Sequence, residues 1–240
     1  MLKTASDLNY IPSTISLMRL AMMISEEGPA YGKAKAHFRG NLDKFNDLVK
    51  EGGNPDALTV SGLMRLRGGN DKAALQLFDR AVQVAGRGGD AYVPAPSKQT
   101  TEDSQRSNNT PTPSRTPKWT FESVCHVERG KILLRMGDNA AAEAAFRTAA
   151  YELGSAEAFF QLGKSLPANS PESIACLLKA SVSGVREACT LLWTAETFKS
   201  HQGGVDKREK AEHLRWAAEW HLLGRSPKAE KIGEARGTAS

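Results

Sequence analysis

The sequence predicts an all-α fold: an α-solenoid of about five antiparallel helix pairs, interrupted by one disordered insertion. Three observations predict it. Within the stretch 130–165, Ala142, Ala145, Phe146, Ala149 and Leu153 recur at the i, i+3, i+4, i+7 spacing that lines one face of an α-helix. That stripe is mostly alanine, so it cannot fill a wide core and instead lets neighbouring helix backbones approach closely. The same pattern stands 68 residues earlier, where Ala74, Leu77, Phe78, Ala81 and Ala85 precede those five positions and Gly62 and Gly69 precede Gly130 and Gly137. Finally, glycines at 52–53, 68–69, 154, 184 and 224 end one periodic stretch after another.

Taken in order, Pro12 and Ser13 open a helix carrying Ile15, Leu17, Met18, Ala21, Met22 and Ile24, which Gly28-Pro29 ends. A second helix over about 32–50 places Ala34, Phe38, Leu42, Phe45, Leu48 and Val49 three or four residues apart, and the two make a helical hairpin. Asn54-Pro55-Asp56 caps a third helix with Ala57, Leu58, Val60, Leu63 and Leu66, and Asn70 or Asp71 caps the fourth.

From 86 to 118 the apolar pattern collapses into a Ser/Thr/Pro-rich run that reads as a disordered insertion between N-terminal repeats over 1–85 and C-terminal repeats over 119–224. A coil of this length reaches roughly 30 Å end to end, so it loops out without separating the flanking hairpins. Thr110, Thr112 and Thr116 each precede a proline and are candidate phosphorylation sites for a proline-directed kinase; short patterns of this kind also arise by chance in such coil. Asn108 lies in a glycosylation sequon, which has no consequence in the absence of secretion.

The helix resumes over 119–136, Asp138 caps its partner, and Gly154 closes that pair. The next helix spans about 158–166. Ser170-Pro171-Glu172 then supplies an N-cap hydroxyl, a proline at N1 and an acid in the first turn of a helix bearing Ile174, Ala175, Leu177, Leu178 and Val182. The last pair covers about 185–198, with Leu191, Leu192 and Trp193, and 206–223, where Asp206 and Glu209 match a capping box. The polar tail 225–240 reads as flexible.

Gly62, Ala74, Phe78 and Ala81, and again Gly130, Ala142, Phe146 and Ala149, stand at the relative spacings of the tetratricopeptide repeat, which the chain resembles over about 57–85 and 120–224. The later units are similar to its Sel1-like variant, in Ala149-Ala150 followed by Gly154 and Ala158, and in Lys179-Ala180 followed by Gly184 and Ala188. Leu58 and His126 occupy consensus aromatic positions, and Arg65 and Leu133 stand where Tyr is usual. The resemblance implies a right-handed superhelix that binds a protein or peptide segment on its concave face and performs no chemistry. It also implies repeat-packing roles for those eight residues and for Gly163, Ala175, Ala180 and Gly184.

Composition fits that expectation. With 40% apolar residues the chain has enough for an ordinary core, and 32 basic against 27 acidic residues give a net charge of +5 spread along its length. This charge suits an acidic partner or simple solubility, and keeps RNA binding by the helical repeats as an alternative. Cys125, Cys176 and Cys189 form no CxxC pair, so neither a disulfide framework nor a zinc site is expected, and a reducing compartment fits best. The N-terminal apolar run is broken by Arg19, follows Pro12 and lacks a cleavage site, so it does not read as a signal peptide. No apolar run reaches the roughly 18–20 residues of a membrane helix. The expectation is a soluble intracellular protein, with cytoplasm and mitochondrion both open.

Chemical motifs fare poorly. The run 158–165 matches a permissive nucleotide-loop pattern through Ala158, Gly163, Lys164 and Ser165, yet Phe159, Phe160 and Leu162 suit a packed helix rather than a phosphate cradle. No HExxH or GxSxG occurs among the surroundings of His37, His126, His201, His213 and His221. Cys125 and His126 are adjacent, hence about 100° apart on a helix, and do not share a site. Trp216 and Trp220 lie on one helix face near Arg215, where they either bind a peptide or base or, as the plainer reading, close the last hairpin over Leu192 and Trp193. No cofactor, metal or catalytic residue is expected.

Overall fold

The computed structural model describes residues 2–7, 10–24, 31–87 and 115–225, and every regular element among them is helical. The chain divides into two compact units, Met1–Ala145 and Phe146–Ser240. Thr110, Thr112, the sequon at Asn108 and the tail beyond Arg225 lie outside the described residues.

The first unit contains α1 (Leu2–Asp7), α2 (Ile11–Ile24), α3 (Tyr31–Glu51), α4 (Pro55–Arg67), α5 (Asp71–Arg87), α6 (Glu122–Arg135) and the start of α7 (Asn139–Arg147). Packing runs between neighbours in sequence: α1 on α2, α2 on α3, α4 on α5, and α5 on α6, with α2 and α6 also touching α4. Helices that pack on each other across turns as short as Gly68–Asn70 must be antiparallel, so the units of construction are hairpins. Their shared core gathers Ile15, Met18, Phe45, Leu58, Phe78, Trp119 and Ile132. The short α1 has no counterpart in the sequence pattern. It is held by polar contacts: the buried Ser6 hydroxyl meets Thr14 Oγ1 at 2.7 Å and donates to Asn41 Oδ1 at 2.6 Å, while Lys44 Nζ donates to the Ser6 carbonyl at 3.0 Å.

Caps explain where the helices begin. Asn54 Oδ1 accepts from Ala57 N at 3.0 Å with Pro55 at N1, Asn70 Oδ1 accepts from Ala73 N at 3.0 Å, and Asp138 Oδ1 accepts from Ala141 N at 3.1 Å. Gly69, with φ of 74°, turns the chain between α4 and α5 in a conformation that costs a side-chain-bearing residue strain.

Two boundaries differ from expectation. Helix α5 runs on to Arg87, and residues 115–121 form a bound strap instead of the end of a loose insertion. A pair of buried carboxylates holds the strap. Glu122 accepts from Arg115 Nη1 at 3.0 Å, Arg115 Nη2 at 2.7 Å and Lys118 N at 2.6 Å, and Asp56 accepts from Phe121 N at 2.9 Å. Glu122 and Asp56 are each 2% exposed, and the strap they hold seats Trp119 and Phe121 in the core. Arg19 lies over the Phe121 ring, 4.6 Å from its centroid.

The second unit continues α7 from Phe146 into a single π turn (Thr148–Glu152), then α8 (Ala156–Ser165), α9 (Pro171–Val182), α10 (Arg186–Ser200) and α11 (Lys207–Gly224). Again α8 pairs with α9, α9 with α10, and α10 with α11. Ser155 and Ser170 cap α8 and α9 through Ala158 N and Ser173 N, and Asp206 with Glu209 forms a reciprocal capping box on α11.

Candidate protein-docking groove

Gly163 on α8 is the point around which the second unit's surface is built. A β-carbon there would lie 2.9 Å from Leu177 Cγ and 3.2 Å from the Ser173 carbonyl oxygen, so only glycine admits the close crossing of α8 and α9. The buried Ser173 hydroxyl fastens this crossing by donating to the Gly163 carbonyl at 2.7 Å. Because α8 ends at Ser165, the chain turns through 166–170, with Asn169 at a φ of 61°, before α9 starts. Between this turn and α10 lies an open groove of about 400 Å³. Its walls include Leu166, Ile174 and Leu177 on one side and Leu191, Ala195 and Phe198 of α10 on the other. Lys164, exposed at the rim with its ammonium 5.2 Å from the Phe160 ring centroid, is the ionisable side chain among the described residues lining it. Phe198 remains 55% exposed although it is aromatic. An apolar trough with one cation at its lip suits an apolar side chain carried beside an acidic group.

A second cluster surrounds the π turn. Tyr151 projects from it, donating to Glu172 Oε1 at 3.2 Å and meeting Cys176 Sγ at 3.4 Å, and its ring packs edge-on against Phe159 at 5.4 Å. Arg147 grips both oxygens of Glu172, at 2.5 and 3.0 Å, and Lys179 lies over the Tyr151 and Phe159 rings. The hydrogen bond from Arg147 holds the Glu172 carboxyl below its usual range. Burial, then the bond to Cys176, pushes the Tyr151 phenol up. Every charged group here has a partner of opposite sign or an aromatic face, so the cluster braces α7 and α8 against α9.

Burial works against ionisation of all three thiols. Cys125 is fully buried, with Sγ 3.7 Å from the Phe78 carbonyl, and burial raises its pKa to about 12; burial also raises Cys176 and Cys189. His126 sits buried between Glu122 and the Trp119 ring, His201 caps the end of α10 through the Thr197 carbonyl, and His213 bonds Glu196 at 2.6 Å. Burial raises the Glu196 carboxyl, but hydrogen bonds from Lys199 and His213 outweigh it and leave it lowered. Among the described residues no three His, Cys, Asp or Glu side chains gather as a metal site, and no helix is long and apolar enough to cross a membrane.

The phosphate-loop lookalike is helical throughout, with Phe159, Phe160 and Leu162 buried and the Ser165 hydroxyl donating to the Leu162 carbonyl at 2.9 Å. Its amides are therefore engaged within α8.

Of the residues assigned to repeat packing, Gly62, Ala74, Phe78, Ala81, Gly130, Ala142, Phe146, Ala149, Gly163 and Ala180 are buried. Gly184 is exposed and turns the chain after α9 with a φ of 92°, at the helix end its place in the sequence predicts, and Ala175 is exposed. The buried face of α9 runs Ser173, Cys176, Leu177, Ala180, one register away from the stripe read through Ala175. Thr116 is exposed within the strap.

On α11 Trp220 is half-buried while Trp216 is exposed. Trp193 and Trp216 are 39% and 41% exposed, and the last hairpin is closed by the small residues Ala188, Cys189, Ala195 and Ala217 with Leu192. Across that hairpin Trp193 packs against His221 of α11 at 5.2 Å, and Arg215 lies over the Trp216 ring.

No family model matches the chain, and no curated protein matches it. Among solved structures, the crystal structure of MamA is similar to this chain, at 15% identity and a TM-score of 0.48, over 79% of this chain and 92% of that one, a likeness too slight to bear on function.

Proposed function

We propose that this protein is a non-enzymatic scaffold that binds a segment of another protein, with tetratricopeptide-like and Sel1-like hairpins as its framework and Gly62, Phe78, Gly163 and Ala180 among the residues that pack them. One observation carries the reading: the apolar groove between the 166–170 turn and α10, open to solvent and flanked by the half-exposed Phe198. Exposed apolar surface of this kind is costly to keep unless something covers it. The segment inserts a large apolar side chain into the groove and sets a carboxylate against Lys164. Binding on the concave face of the hairpin stack remains part of this proposal.

The test is affinity capture from extract with the full chain, in parallel with Phe198→Asp and Leu191→Asp. A discrete protein retained after nuclease treatment by the parent chain, and lost from both variants while their helical circular dichroism is unchanged, is the expected result. Recovery of nuclease-sensitive RNA, indifferent to either substitution, makes the protein an RNA-binding repeat instead.

A further inference from the structure

We propose that Thr116 is a phosphoacceptor for a proline-directed kinase, and that its phosphate takes the Arg115 guanidinium away from Glu122 and so unfastens the strap that enters α6.

Accessibility comes first. Thr116, Pro117 and Lys118 are all exposed, and the backbone from 115 to 121 bends without forming a helix, so the segment can lie along a kinase cleft. Proline after the acceptor restricts Thr116 to extended conformations, the form in which such a cleft takes its substrate. Modification proceeds by attack of the Thr116 hydroxyl oxygen on the γ-phosphorus of ATP. The bond to the ADP oxygen breaks, the hydroxyl proton passes to the kinase's base, and ADP leaves.

The consequence comes from what the acceptor residue's backbone already holds. Arg115 Nη1 donates both to Glu122 Oε2 at 3.0 Å and to the Thr116 carbonyl at 3.3 Å, so the guanidinium already folds back over the residue to be modified. A phosphate carries nearly two negative charges and three acceptor oxygens, and its geometry matches the guanidinium fork as well as a carboxylate does. The Glu122 side chain is 2% exposed and fixed in place, whereas that of Arg115 is 28% exposed and has room to swing outward. Exposed phosphate therefore competes from the side where Arg115 meets solvent. A buried carboxylate stripped of its cation is strongly disfavoured, and the Lys118 amide bond to the same carboxylate weakens with it. The Phe121 amide is held separately by the buried Asp56, so α6 stays docked while the strap ahead of it opens.

These two amides make the test. The full chain, carrying Thr110→Ala and Thr112→Ala to leave Thr116 as the remaining Thr-Pro acceptor, is treated with a purified proline-directed kinase and ATP. Phosphate is mapped by mass spectrometry, and amide hydrogen exchange is followed by NMR. The expected result is phosphate on Thr116, exchange at the Lys118 amide faster by at least tenfold, and unchanged exchange at Phe121. Arg115→Gln is expected to speed Lys118 exchange without any kinase, and phosphorylation of that variant to add nothing. Failure of Thr116 to accept phosphate while a free peptide of residues 110–122 does so overturns the proposal. So does unchanged or slower exchange at Lys118, or equal acceleration at Phe121, which would signal unfolding of the unit.

Discussion

Replacing Gly62 by alanine should destabilise the protein, although alanine is the better helix former. Gly62 lies inside α4 facing α5, and a β-carbon there would come within 2.5 Å of Phe78 Cε1 and 2.8 Å of Cδ1. Phe78 is itself 0% exposed, so its ring can yield only by disturbing Leu58 and the rest of the core. Overpacking a dense interior costs about 1–3 kcal/mol, and the helix-propensity gain of Gly→Ala returns about 1 kcal/mol. The net is a loss of about 0–2 kcal/mol. Gly40 supplies the matched control: it is exposed in the interior of α3, and a β-carbon added there would meet nothing within 4 Å, so Gly40→Ala should stabilise by up to about 1 kcal/mol. Urea unfolding followed by circular dichroism at 222 nm reads both. Adding Phe78→Leu makes the cause explicit, because Gly62→Ala should cost less in that background, with a coupling of about 1 kcal/mol. If Gly62→Ala stabilises as Gly40→Ala does, or if the double variant is additive, α4 and α5 do not cross at Gly62 as described.

Other outcomes follow from single contacts. Burial raises the Cys125 thiol from 9.0 to about 12, so the unfolded chain ionises first. Its contribution is complete below about pH 9 and is lost as pH rises towards 12, with a slope of about 1.4 kcal/mol per pH unit per thiol. Urea midpoints measured from pH 8 to 10.5 should fall less steeply for Cys125→Ala than for the parent. Glu172 is shifted the other way, so the support it draws from Arg147 is present above its ordinary carboxyl value and disappears as pH falls through its lowered one. Arg147→Met should therefore lower the melting temperature slightly at pH 7, less in high salt, and not at all in strong acid. Asp206→Ala removes one half of the capping box on α11 and should cost about 1 kcal/mol, seen as faster amide exchange in the first turn of that helix.

What could be read from sequence was whatever depends on neighbours a few residues away. Asn54, Asp138, Ser170 and Asp206 each cap a backbone amide three residues on, and each stands where the residue pattern places it. The small-residue faces of α5 and α7 were legible for the same reason, since a helix repeats its face every three to four residues. Contacts between distant residues were not. Asp56 reaches Phe121 across 65 positions, and nothing in the Ser/Thr/Pro-rich run shows that Arg115 will turn back onto a buried Glu122. On α9, Ala175 and Cys176 are both small and apolar, so composition alone could not choose the register that points Cys176 at Tyr151 and leaves Ala175 outside. The groove is not legible in the sequence because its walls, Leu166 and Ile174 on one side and Leu191 and Phe198 on the other, come together only through the packing of α9 on α10.

Site-specific photocrosslinking tests the central claim most directly. A benzophenone side chain at position 198, on the groove, and another at position 72, on the exposed side of α5, are compared in native extract treated with nuclease. Binding of a protein segment in the groove predicts a discrete protein adduct from position 198, competed by unlabelled chain, with none from position 72. Equal adducts from both positions, or none from position 198, would contradict it.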